Sequence, residues 1–196
     1  MHPPRVEGVA ERLRVVLASR VPEKVVRPEA RRAAVAVLIS RDAEPSVLFI
    51  RRRERVGDPW SGQMAFPGGF WSPADGSLDT TARRETEEET GIVLADAGVL
   101  LGALDDVSPR TPYLPPLVVT PYVYLVAGML AAHPGPEVDA AVWLRVRDLF
   151  DPALRKPFRL ELPGEVREFE AIVIGDCTIW GLTERVLQQL REASGS

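Results

Sequence analysis

Cysteine and histidine are nearly missing from this chain: Cys177 is the single thiol, and His2 and His133 are the only imidazoles among 196 residues. One cysteine excludes an internal disulfide, and so few soft ligands argue against a zinc centre. A catalytic metal is therefore expected to be held by oxygen. Positive charge is not in excess either, since 24 Lys and Arg face 28 Asp and Glu. That balance provides no general footprint for nucleic acid or for an anionic membrane. A continuous apolar run is absent from Met1 to Ser19, which carries Arg5, Glu11, Arg12 and Arg14. Neither a secretory signal nor a membrane span is expected there, and a cytoplasmic location is. Repeats and low-complexity segments are also lacking.

What is present suits a soluble α/β domain, expected to be single over residues 1–196. Val9, Leu13, Val16 and Leu17 recur at helical spacing and predict a helix over 6–19. Arg32 to Ser40 and Val47 to Arg52 have strand character and flank an Asp42-Ala43-Glu44-Pro45 turn, which predicts a hairpin entering a mixed sheet. Met64 to Phe66 reads as a short strand before Gly68-Gly69, with a loop from Phe70 to Ser77 behind it. Further strands are expected over Gly98 to Leu104, Leu117 to Val126 and Ala141 to Arg145, then a helical turn over Arg147 to Phe150. Phe158 to Leu162 and Glu168 to Ile174 form a hairpin around Pro163-Gly164, and a last helix runs from Ile179 to Ala193. Its Ile179, Leu182, Val186, Leu187 and Leu190 stripe is assigned to core packing. Helices on both faces of a mixed sheet follow from this order.

Arg84-Glu85-Thr86-Glu87-Glu88-Glu89-Thr90-Gly91-Ile92 is the most informative stretch. On a helix from Asp79 to Thr90, Glu88 lies about −60° and Glu89 about +40° around the axis from Glu85, so three carboxylates share one face. Like charges at this spacing repel by a few tenths of a kcal/mol per pair. A hard divalent cation reverses that sign. Glutamates on a helix are commonly a solvated face; here Arg84 lies about 40° from Glu88 and can orient it. Phe66-Pro67-Gly68-Gly69 also lets backbone groups approach a ligand closely.

Gly69, five residues, Asp75, eight residues and then Arg84 to Ile92 resembles the signature of the Nudix hydrolases. The family pattern has glutamate where Asp75 stands and one residue fewer before the arginine. Gly62-Gln63-Met64-Ala65-Phe66-Pro67-Gly68-Gly69 is similar to the coenzyme A diphosphatase subgroup, as are Ser108-Pro109-Arg110-Thr111, Val119-Thr120-Pro121-Tyr122 and Ile179-Trp180-Gly181-Leu182-Thr183. Arg53 to Trp60 departs from that subgroup. The resemblance implies a Nudix-like α/β/α sandwich with an acidic catalytic helix. It also implies Mg²⁺- or Mn²⁺-dependent hydrolysis of a nucleoside diphosphate derivative, with coenzyme A or an acyl derivative as the small-molecule substrate.

Carried over by position, Glu85, Glu88 and Glu89 become metal ligands, with a carbonyl of Gly68 or Gly69, and Arg84 holds the carboxylates. The base that takes a proton from water is either Glu85 or a carboxylate from a later loop, Glu137 or Asp139, which are otherwise ordinary loop acids. Asp105 and Asp106 are candidates for the site or for turn capping. Arg51, Arg52, Arg53 and Arg55 form a cationic run whose alternation sends only part of it toward a phosphate. Arg110 is a further phosphate contact, and Phe70 or Trp71 either stacks on adenine or packs beneath the loop. Two alternatives stay open: the same chemistry on ADP-ribose, NADH or a dinucleoside polyphosphate, and a non-catalytic nucleotide-binding module. Oligomeric state is open, with a homodimer among the allowed assemblies.

Overall fold

The computed structural model describes residues 7–55, 61–109, 115–162 and 165–195. Its centre is a mixed sheet built on β1 (Arg31–Ser40) and β6 (Leu117–Val126), which run parallel from Arg31↔Leu117 to Ser40↔Val126. β2 (Ser46–Arg52) pairs antiparallel with β1, and β7 (Val138–Arg145) and β3 (Met64–Ala65) pair with β2. β4 (Gly68–Phe70) adds to β1, and β5 (Gly98–Ala103) closes the far side on β6. The expected hairpin and mixed sheet are both present.

β1 is apolar nearly throughout because it is covered on both faces. Its Val37 and Ile39 join Leu13 and Leu17 of α1 (Glu7–Ser19) and Leu187 and Leu190 of α5 (Gly181–Ser194) in one core layer. Ala34, Ala36 and Leu38 point the other way, against Ala82 of α2 (Leu78–Thr90) and Tyr124. The small Ala34 and Ala36 side chains let α2 lie close to the sheet, and Ala82 is completely buried. This is the α/β/α layering expected. Among the described residues no helix is long and apolar enough to cross a membrane.

Several boundaries differ from the sequence reading. Phe70 belongs to β4 rather than to a loop, and Pro73–Asp75 is a short 3₁₀ turn with Ser72 as its cap. α3 (Leu94–Ala97) and α4 (Val146–Leu149) are single turns; α3 lies ahead of the expected strand at Gly98, where no element was expected, and α4 matches the expected helical turn to within a residue. β8 (Arg155–Leu162) and β9 (Glu165–Ile174) form the expected hairpin, whose Pro163-Gly164 tip lies outside the described residues. They make a separate sheet with β10 (Cys177–Ile179). Ile179 is therefore a strand residue, and the last helix starts at Gly181, whose positive φ of 67° marks the change of direction. α5 also ties loops together: Thr183 donates to the Met64 carbonyl at 3.2 Å and Arg185 to that of Ser108 at 2.5 Å.

Candidate active site

α2 begins where Ser77 caps it, accepting from the Thr80 amide at 3.1 Å, and ends at Gly91 in the left-handed conformation (φ 69°). Thr81, Ala82, Thr86 and Thr90 are its buried stripe. That stripe puts Glu85 and Glu88 to one side of the helix, with Glu89 at the buried edge of the same side, as 3.6 residues per turn requires. The last turn holds no basic residue. Its glutamates therefore sit at the negative end of the helix dipole, where carboxylates are disfavoured.

The glycine pair brings the strand against these carboxylates. A Cβ on Gly69 would lie 2.3 Å from the Glu85 carboxyl carbon, and one on Gly68 would lie 2.3 Å from the Ala34 carbonyl oxygen. At Gly68 the backbone contact requires glycine, and at Gly69 a side chain would displace the Glu85 carboxylate. The Gly68 amide donates to Glu89 Oε2 at 2.9 Å, joining β4 to α2. Glu89 is buried, with Arg52 4.0 Å from its other oxygen. Burial lifts the Glu89 carboxyl to about 7; the Gly68 amide opposes the lift and the charge of Glu85 adds to it. Burial also raises Glu85, against the pull of Arg84.

Arg84 is shared. It donates to Asp75 at 2.8 Å, and it pairs with Glu85 at 2.8 Å and with Glu88 at 3.1 Å. Asp75 is in turn held by the Ser72 amide and the Thr81 hydroxyl, and its hydrogen bond from Arg84 keeps it well below the usual carboxylate range. Asp75 ends the 3₁₀ turn, Gly76 and Ser77 join it to α2, and the aspartate side chain reaches the Arg84 guanidinium on the second turn of the helix. Asp75 is the residue whose part the sequence left least defined, and its spacing after Gly69 was the available signal.

Glu85, Glu88, Glu89, Pro136 and Glu137 line one cavity of about 310 Å³. The structure thus brings Glu137 to the helix carboxylates, while Asp139 pairs with Arg53 at 2.9 Å. Glu137 itself pairs with Arg55 at 3.1 Å. The cationic run divides as alternation requires, with a register shift between Arg51 and Arg52. Arg51 leaves the site and donates to Asp176 at 2.7 Å, linking the two sheets. Arg52, one of the four cations in the run, is the one that approaches Glu89. Phe70 has the Arg31 guanidinium 3.5 Å from its ring centre, so one face is already covered, whereas Trp71 is 42% exposed. Arg110 lies outside the described residues. Asp105 and Asp106 are drawn away to segment 20–25, with Asp106 accepting from the Val25 amide at 3.1 Å and from Thr120 at 2.6 Å.

Among the described residues no three acidic, histidine or cysteine side chains close around one point in metal-ligand fashion. Glu85 and Glu88 are turned onto Arg84 instead. In kind the donors suit a hard cation: all are carboxylate oxygens, on one face, with one arginine divided among them and one carboxyl desolvated.

The NUDIX domain model matches residues 30–163. An uncharacterized Nudix hydrolase, NudL, of Photorhabdus laumondii subsp. laumondii is 30% identical over 87% of this chain and 89% of its own length. An uncharacterized protein of Schizosaccharomyces pombe is 32% identical over 74% of this chain, which spans about half (51%) of that protein. The MutT/nudix family protein from Enterococcus faecalis shares the fold, with a TM-score of 0.58 at 21% identity over 94% of this chain and 68% of that one. With the glycine pair seated on an acidic helix and the family's domain matched across the central sheet, the chain belongs to the Nudix family.

Proposed function

We propose that this chain is a metal-dependent pyrophosphohydrolase that splits coenzyme A or an acyl-coenzyme A into adenosine 3′,5′-bisphosphate and a 4′-phosphopantetheine product. The observation that carries the reaction is the meeting of Glu85, Glu88, Glu89 and Glu137 on one cavity, with Arg52 and Arg55 beside it. The substrate class rests on the resemblance of Gly62 to Gly69 and of the start of α5 to the coenzyme A diphosphatases. Glu85, Glu88, Glu89 and a carbonyl of Gly68 or Gly69 would hold Mg²⁺ or Mn²⁺, which when bound would supply charge neutralisation at the pyrophosphate and a more acidic water.

The chain's own residues set the geometry around that chemistry. Asp75 fixes Arg84, and Arg84 keeps Glu85 and Glu88 on the cavity side. Glu137 receives the proton as water forms its bond to phosphorus and the bridging phosphorus–oxygen bond breaks. Arg53 and Arg55, each about half exposed, meet substrate phosphates, as does Arg110. Trp71 presents an open ring to adenine.

The test is a chromatographic assay with Mg²⁺ or Mn²⁺ and equal concentrations of coenzyme A, ADP-ribose, NADH and dinucleoside polyphosphates. Coenzyme A is expected to give the highest kcat/KM. A higher value for another substrate reassigns specificity and leaves the chemistry in place. Full activity in Glu88→Gln and Glu89→Gln would refute the metal assignment, and no turnover of any substrate would favour a binding module.

A further inference from the structure

The loop that carries Glu137 is fastened to the end of α2 by its backbone. The His133 amide donates to the Thr90 carbonyl at 2.8 Å and the Gly135 amide to the Glu89 carbonyl at 3.0 Å. These bonds satisfy two of the carbonyls that a helix end leaves open. At Gly135 the contact leaves no space, because a Cβ there would lie 2.1 Å from the Glu88 carbonyl oxygen and 3.4 Å from the Glu89 Cα. Pro136 follows, its ring fixing the chain direction between Gly135 and Glu137. On the far side the Arg53 amide donates to the Glu137 carbonyl at 2.9 Å, and the Val138 amide to that of Gly135 at 3.1 Å. Glu137 is thus held in a frame between the last turn of the acidic helix and the end of β2.

We infer that Gly135 is a positioning residue: its backbone seam against Glu88 and Glu89 sets the distance of Glu137 from the helix carboxylates. This rests on the proposed role of Glu137 as proton acceptor. An added side chain displaces the loop rather than the helix. α2 has its Thr86 and Thr90 buried against the sheet, whereas Ala131, His133, Pro134, Pro136 and Glu137 are exposed. Relief of a 2.1 Å contact to the 3.4 Å of ordinary van der Waals contact requires a shift of more than 1 Å, and misplacement by about 1 Å at a reacting centre lowers rates by about 100-fold.

Three variants test this: Gly135→Ala, which fills the seam; Pro136→Gly, which loosens its link to Glu137 without adding an atom; and Glu137→Gln. Each is measured alone, and the first two also in the Glu137→Gln background, by kcat, KM, thermal unfolding and a crystal structure. Glu137→Gln is expected to lower kcat about 100-fold. Gly135→Ala and Pro136→Gly are expected to lower kcat about tenfold or more with KM little changed, and to have almost no further effect once Glu137 is glutamine. The Gly135→Ala structure should show Glu137 shifted from α2 while α2 keeps its place. Effects that multiply with Glu137→Gln, or a Glu137 that does not move, overturn the positioning role. Wild-type kcat in Glu137→Gln alone overturns the proton-acceptor reading, and the inference with it. If Gly135→Ala fails to fold, Pro136→Gly distinguishes the same two outcomes through its own coupling to Glu137.

Discussion

Two acidic clusters in this molecule have opposite surroundings. Asp106 has a fully buried side chain and meets Arg32 at 3.2 Å, Lys24 at 3.3 Å, the Val25 amide and the Thr120 hydroxyl. Its neighbour Asp105 pairs with Arg20 and accepts from the Glu23 amide at 2.7 Å. Each charge there is matched, and the result is mechanical: segment 20–25 is strapped to the strand ends. The α2 cluster is under-supplied. Arg84 serves Asp75, Glu85 and Glu88 together, and Glu89 has one amide and a distant Arg52. A buried acid with a full set of donors is structure, whereas acids short of positive charge around a cavity are the arrangement on which the proposed cation site rests.

Removing carboxylates on the two sides should therefore have different consequences. Glu85→Gln and Glu89→Gln are expected to reduce kcat by roughly 100- to 1,000-fold while the fold persists, checked by steady-state kinetics beside circular dichroism. Asp106→Ala should act on stability, at about 2 to 3 kcal/mol in urea unfolding, because it leaves the buried Thr120 hydroxyl and the Val25 amide without their acceptor. Near-normal kcat in the folded fraction of that variant would support the division; a selective loss of kcat would break it.

A pH experiment sharpens the same contrast. Glu89 titrates near 7 in the folded chain, against an ordinary value of 4.5. Between those values the folded state keeps a proton that the unfolded state has released, so this group lowers stability as pH rises through the window. Metal-free Glu89→Gln should accordingly gain on wild type, by on the order of 2 kcal/mol between about pH 5 and about pH 8. Equal pH profiles in urea unfolding would show that Glu89 carries no such penalty. The smallest effect is expected at Asp75: Asp75→Ala should lower kcat about tenfold by freeing Arg84, and Asp75→Glu should restore much of it.

The sheet, the acidic helix and its three-carboxylate face were readable from local pattern: a continuous apolar run in β1, 3.6 residues per turn in α2, and Gly91 at the helix end. The second sheet was not, because Cys177 to Ile179 is too short to separate from the helix behind it. The partners of the arginine run were hidden for another reason. Alternation divides such a run, but which member meets Glu89 and which meets Asp176 depends on the register shift after Arg51. Gly135 was invisible in the sequence, since its significance comes from a backbone contact with residues of α2 far away in the chain.

Calorimetric titration of Mn²⁺ into chelator-treated protein tests the assignment of the α2 cluster to a cation most directly. Wild type and the Glu85→Gln, Glu88→Gln, Glu89→Gln triple variant would be compared, with Asp105→Asn as the control from the other cluster. The under-supplied cluster predicts saturable binding in wild type and the control, lost in the triple variant. Binding that survives the triple substitution, or that disappears with Asp105→Asn instead, would contradict it.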